Sequence, residues 1–158
     1  MNVGRYGFVV MFVFLGVFVL SGIPAGAANR VKKIDESALD AQIGNKKNRL
    51  AVIFMAAWCA PCIDELLTMN KVYKKFKNQN LEIIGISIDL EGPEAIQPVV
   101  SGMKIDFPVY WYGEKAIEKF SLFAIPMMLL IKNGEIVERV HGRRPETYLN
   151  EKFRQFLK

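Results

Sequence analysis

Cys59 and Cys62 are the two cysteines of the chain, set two residues apart in Trp58-Cys59-Ala60-Pro61-Cys62. Thiols at that spacing fall within the geometric limits of a disulfide, and Pro61 stiffens the turn between them. The chemistry on offer is thiol–disulfide exchange, in which one thiolate attacks a disulfide sulfur and the second thiol releases the mixed disulfide. Two blander uses compete. A purely structural bridge closing so short a loop would remove little chain entropy. A zinc site needs about four ligands, and beyond these thiols the chain holds a single histidine, His141. A redox pair is the reading that the flanking elements favour.

Those elements must place the pair. Residues 50–55, Leu-Ala-Val-Ile-Phe-Met, are apolar throughout, as in a parallel strand buried on both faces. After the pair, Cys62, Leu66, Met69, Tyr73 and Phe76 recur at steps of four and three, one stripe of a helix reaching about Lys77. Cys59 is therefore expected at the helix N-terminus and Cys62 one turn in, on the buried stripe. Unpaired backbone N–H groups and the positive end of the helix dipole stabilise a thiolate there. A cysteine so placed has its pKa lowered from about 8.5 toward or below about 7. Cys59 is the expected nucleophile and Cys62 the resolving thiol.

The rest of the chain reads as alternating elements. Residues 28–34 look like a linker, and Ser37 is placed to cap a short helix over 37–43 that Gly44 ends. A second strong strand spans 81–89, so strand, helix and strand form a right-handed βαβ unit with parallel neighbours. A helix opened by Glu91-Gly92-Pro93, a short strand over 108–111 and a helix over 114–120 follow. Ile125-Pro126 leads into a strand over 127–131, and Asn133-Gly134 predicts a type I′ hairpin to a return strand over 135–140. Pro145 starts an amphipathic closing helix.

At 158 residues with a formal charge of +5, the chain is long enough for one domain with a core. Its basic residues are scattered, which argues for solvated surface and against a nucleic-acid partner. Arg5 precedes an uncharged, mostly apolar run from Tyr6 to Leu20, followed by Ser21-Gly22-Ile23-Pro24 and then Ala25-Gly26-Ala27. That is the layout of a secretory signal peptide cleaved after Ala27, or alternatively of an uncleaved N-terminal membrane anchor. Either way, residues 28–158 are expected outside the cytoplasm, in the periplasm or on the extracytoplasmic face of a bacterial membrane. A dithiol there needs a continuing supply of electrons.

These residues together resemble the thioredoxin fold, and more narrowly the exported TlpA/ResA-like thiol–disulfide oxidoreductases. The resemblance covers roughly residues 35–158 and rests on Ala57-Trp58-Cys59-Ala60-Pro61-Cys62, Glu65, Asp106-Phe107-Pro108-Val109, Ile125-Pro126 and Lys132-Asn133-Gly134-Glu135-Ile136-Val137. It implies an α/β fold with a central mixed sheet flanked by helices and a helix-strand insertion at about 93–111. It also implies a cis bond before Pro126, although X–Pro bonds in general are mostly trans. Trp58, Pro61, Ile125 and Pro126 would then line a groove for an extended peptide, with no cofactor or metal required.

Some positions depart from the pattern. Thioredoxins usually carry a buried acid six positions before the first cysteine, where this chain has Ile53. Glu65, close to Cys62 on the helix, either relays protons in its place or is an exposed helix carboxylate. Met127-Met128 follow the proline as core and groove filler, with copper binding the alternative. His141 reads as a surface or structural residue. The leading function is reduction of disulfides in exported proteins, with apocytochrome c a natural client and a membrane electron donor as second partner. The rivals are an oxidase or isomerase using the same pair, a peroxiredoxin, whose Pro-x-x-x-Thr-x-x-Cys context is missing, and a copper-carrying module, which would use wider cysteine spacing.

Overall fold

The computed structural model describes Met1 and residues 29–47 and 49–158. The expected export segment over residues 1–27 therefore lies, apart from Met1, outside the described residues.

The apolar run before the cysteines forms β2 (Arg49–Met55), whose residues from Leu50 onward are all buried. It is flanked by β3 (Leu81–Ser87), parallel to it, and by β5 (Met127–Lys132), antiparallel to it. Successive residues such as Ile53 and Phe54 are shielded from water on both faces, which is why the run shows no alternation. Among the described residues six strands make one sheet. With β1 (Lys32–Lys33), β4 (Val109–Trp111) and β6 (Glu135–His141) at its two sides, the order is β1-β4-β3-β2-β5-β6. The helices are α1 (Glu36–Ile43), α2 (Ala60–Phe76), α3 (Pro93–Gly102), α4 (Lys115–Phe120) and α5 (Glu146–Phe156). This is the mixed, helix-flanked sheet expected from the sequence, with α3 and β4 as the inserted pair.

Two local expectations change. Residues 29–34 are not a mere linker. β1 pairs with β4, the Ile34 N–H donates to the Trp111 carbonyl at 3.0 Å, and Val31 and Ile34 are buried. The Gln97 side chain accepts from the Val31 N–H at 2.8 Å and donates to the Asn29 carbonyl at 3.2 Å, tying the segment to α3. Two paired residues carry too little periodicity to announce a strand. The N-cap of α1 is Asp35, whose carboxylate accepts from the Ala38 N–H at 2.8 Å, while Ser37 donates to that carboxylate instead of capping. The hairpin is as expected: Asn133 and Gly134 both take positive φ, 57° and 82°.

Candidate active site

β2 delivers the chain to one end of the sheet, and the next residues turn into α2. Cys59 is the N-cap of that helix, in extended backbone with φ −93° and ψ 92°, and Pro61 stands in the first turn. The Cys59 carbonyl accepts from the N–H groups of Cys62 and Ile63 at 3.0 and 3.1 Å. Cys62 is one turn in, beneath the helix. Because β5 runs antiparallel to β2, its beginning lies at the same end of the sheet as the close of β2, which brings Pro126 to the cysteines. The Ile125–Pro126 peptide is cis.

The structure holds the oxidised pair, Cys59–Cys62, with Cα atoms 5.2 Å apart. Both residues are nearly covered, Cys59 at 5% and Cys62 at 2% exposure. Their difference therefore lies in what each one faces. Cys59 lines an open groove of about 480 Å³ with Trp58, Pro61, Ile88, Ile117, Phe123 and Ile125, whereas Cys62 does not reach it. The Cys59 sulfur lies 3.8 Å from the Ile125 carbonyl oxygen. Trp58 and Phe123 stand 67% and 89% exposed at the rim, an apolar surface that folding has left in water. Pro126 is buried beside the groove, while Pro61 is exposed. Trp58, Cys59, Pro61 and Ile125 are thus brought together. The groove walls Ile88, Ile117 and Phe123 were not singled out in the sequence, because they come from three separate segments.

Glu65 is elsewhere. It is 4% exposed on the inner side of α2, so the reading of it as an exposed helix carboxylate is corrected. Its Oε1 accepts from the Arg144 N–H at 2.8 Å. Burial pushes its carboxyl above the usual value of 4.5, opposed first by that hydrogen bond and then by the charges of Arg143 and Arg144. The covering loop follows β6, where the Gly142 N–H donates to the Pro126 carbonyl at 2.8 Å. Glu65, Pro126 and residues 142–144 therefore form the side of the site away from the groove.

The sequence offered no role for Asp89, and the structure gives it a central place. Asp89 is fully buried just past the end of β3. Its two carboxylate oxygens accept from the Ala57 N–H at 2.9 and 3.1 Å, and Ser87 Oγ donates to Oδ2 at 2.7 Å. The Trp111 indole N–H donates to the Asp89 carbonyl at 2.6 Å. An acid closing an apolar strand was the available signal, but its partner lies 32 residues earlier. Met127 and Met128 are buried core residues, and His141 is exposed opposite Met127. Among the described residues no group of three or more His, Cys, Asp or Glu side chains is placed to hold a metal ion.

A profile of the AhpC/TSA family matches residues 27–140. The chain is 35% identical over 98 residues to a thiol-disulfide oxidoreductase ResA of Bacillus cereus, covering 61% of this chain and 56% of that protein. It is 29% identical over 128 residues to ResA of Oceanobacillus iheyensis, covering 76% and 65%. The chain thus spans little more than half of the first of these relatives. Among solved structures, a putative thiol:disulfide interchange protein DsbE from Chlorobium tepidum superposes with a TM-score of 0.67 at 18% identity, over 84% of this chain and all of that one. StoA from Bacillus subtilis gives 0.62 at 20% identity, over 69% and 84%. These likenesses show that the fold is thioredoxin-like.

Proposed function

The chain belongs to the AhpC/TSA family, and from that premise we propose that it is a thiol–disulfide oxidoreductase of the cell envelope, reducing disulfides in exported proteins. The observation that carries the reading is a cysteine pair capping α2, with Cys59 facing an apolar groove and Cys62 shielded behind it. Similarity to ResA proteins supports it.

In the reduced protein the Cys59 thiolate attacks one sulfur of a substrate disulfide. A Cys59–substrate bond forms and the other substrate sulfur leaves as a thiolate. The Cys62 thiolate then attacks the Cys59 sulfur, closing the bond present in this structure and releasing the second substrate thiol. Two electrons pass to the substrate, and a membrane donor restores the dithiol. Trp58, Pro61 and Ile125 guide an extended peptide along the groove, Pro126 backs Ile125 from its buried position, and Glu65 takes up the Cys62 proton. Apocytochrome c, whose thiols must be free before haem is attached, fits as a client. Peroxide reduction gains nothing from the site, since Val52 and Ala56 stand where Pro-x-x-x-Thr-x-x-Cys requires Pro and Thr.

Trapping tests the reading. In Cys62→Ala the mixed disulfide cannot resolve, so exported proteins are expected to accumulate covalently on Cys59. Cys59→Ala is expected to trap none. Equal trapping by both variants would refute the assignment of nucleophile and resolver.

A further inference from the structure

The Asp89 carboxylate is built into the back of the redox site without touching a sulfur. Its oxygens hold the Ala57 N–H, two residues before the nucleophile, and Ser87 Oγ and the Trp111 indole fix Asp89 from the other side. Ile88, between Ser87 and Asp89, lines the groove. A turn alone needs only a neutral acceptor: the Cys59 N–H is satisfied by the Ala56 carbonyl at 3.1 Å. At Asp89 the acceptor is instead a fully buried acid that makes no ion pair among the described residues. An unpaired buried charge is costly to keep, and its field is little screened.

We propose that Asp89 is a positioning residue of the redox site, whose carboxylate fixes the turn carrying Cys59 and whose charge biases the pair toward giving up electrons. The inference rests on the thiol–disulfide reading above. The couple is protein disulfide plus two glutathione thiols against reduced protein plus glutathione disulfide. Two electrons pass to the protein, and of the two protons the glutathione thiols give up, one stays on Cys62 and the other goes to solvent when Cys59 is a thiolate. The disulfide is neutral, while the reduced form at neutral pH places a thiolate at the head of α2. A fixed negative charge nearby therefore raises the free energy of the reduced form alone and makes the pair the stronger reductant. The converse also holds: a pair whose reduced form is stabilised becomes an oxidant. Among the described residues, Asp64 and Glu65 on α2 and Arg143 and Arg144 packed against them are charged groups on the other side of the site. They stay in place when Asp89 is changed.

The test uses the full chain and its Asp89→Asn and Asp89→Ser variants, equilibrated with glutathione buffers at pH 7. Asparagine keeps an oxygen for the Ala57 N–H and removes the charge; serine removes the charge and most of the side chain. Both are expected to shift the equilibrium at least tenfold toward the reduced protein, about 30 mV for this two-electron couple, and to speed alkylation of Cys59 several-fold. Melting curves establish that each variant is folded. An equilibrium constant within twofold of the wild type in both, or a shift the other way, overturns the proposal. So does failure of both variants to fold, which would leave Asp89 a purely structural part. Wild-type protein that exchanges nothing with glutathione would overturn the thiol–disulfide reading itself.

Discussion

Glu65 carries opposing influences on one carboxyl group: burial raises its proton affinity, while the Arg144 N–H and two arginine charges lower it, and burial dominates. A folded-state pKa above the unfolded one means that the native protein binds the proton more tightly. The stability this contributes is present below about 4.5 and is lost as pH rises through the elevated native value. Glu65→Gln keeps an oxygen to accept the Arg144 N–H but cannot ionise. Between pH 4 and 8, urea denaturation of the oxidised protein should show the wild type losing stability relative to the variant. The gap amounts to about 1.4 kcal/mol for each tenfold difference in proton affinity between folded and unfolded chains. Parallel curves would mean that Glu65 titrates as it does in the unfolded chain. Neither this burial nor that of Asp89 was legible in the sequence. Glu65 lies three residues from Cys62 at the margin of the helical stripe, and its cover arrives 79 residues later. The cysteines were legible because their chemistry depends on spacing, which is local.

Asn70 shows how a single polar residue joins elements. It sits on the buried face of α2, where its Nδ2 donates to the Lys104 carbonyl at 3.1 Å and its Oδ1 accepts from the Asp106 N–H at 2.9 Å. Lys104 takes φ 50°, a left-handed conformation uncommon outside glycine, so this clamp holds a turn that the backbone alone disfavours. Asn70→Ala removes two hydrogen bonds to backbone groups of residues that are otherwise exposed, and should lower stability by about 1–3 kcal/mol, given about 0.5–1.5 kcal/mol per hydrogen bond. The urea midpoint should fall with the slope unchanged. A loss below about 0.5 kcal/mol would show that water replaces the amide freely. Elements with their own signals, such as the apolar β2 and the Asn133-Gly134 hairpin, could be read in advance. β1 could not: Lys32 and Lys33 are exposed, and what holds the segment is its pairing with β4 together with the side chains of Gln97 and Asn29, all contacts to residues more than 60 positions later.

Across the whole molecule, sheet topology converts these local features into one site. The ends of β2 and β3, the start of β5 and the end of β6 all reach the same end of the sheet, because β5 runs against β2 while β3 and β6 run with it. Cys59, Asp89, Pro126 and Gly142 therefore converge, although up to 83 positions separate them. The direction of exchange is a property at this scale, since folding and oxidation form a closed cycle. A pair that is more reducing in the folded chain than in the unfolded one must, by that cycle, make the oxidised fold the more stable form. Each 30 mV of difference corresponds to about 1.4 kcal/mol, and each kcal/mol to a melting shift of about 2–4 °C in a chain of this size. The oxidised protein is accordingly expected to melt several degrees above the reduced protein, with iodoacetamide-blocked samples excluding reoxidation during the scan. Asp89→Asn should narrow that gap, because it relieves the reduced form selectively. A reduced protein that melts above the oxidised one would identify the pair as an oxidant and reverse the proposed flow of electrons.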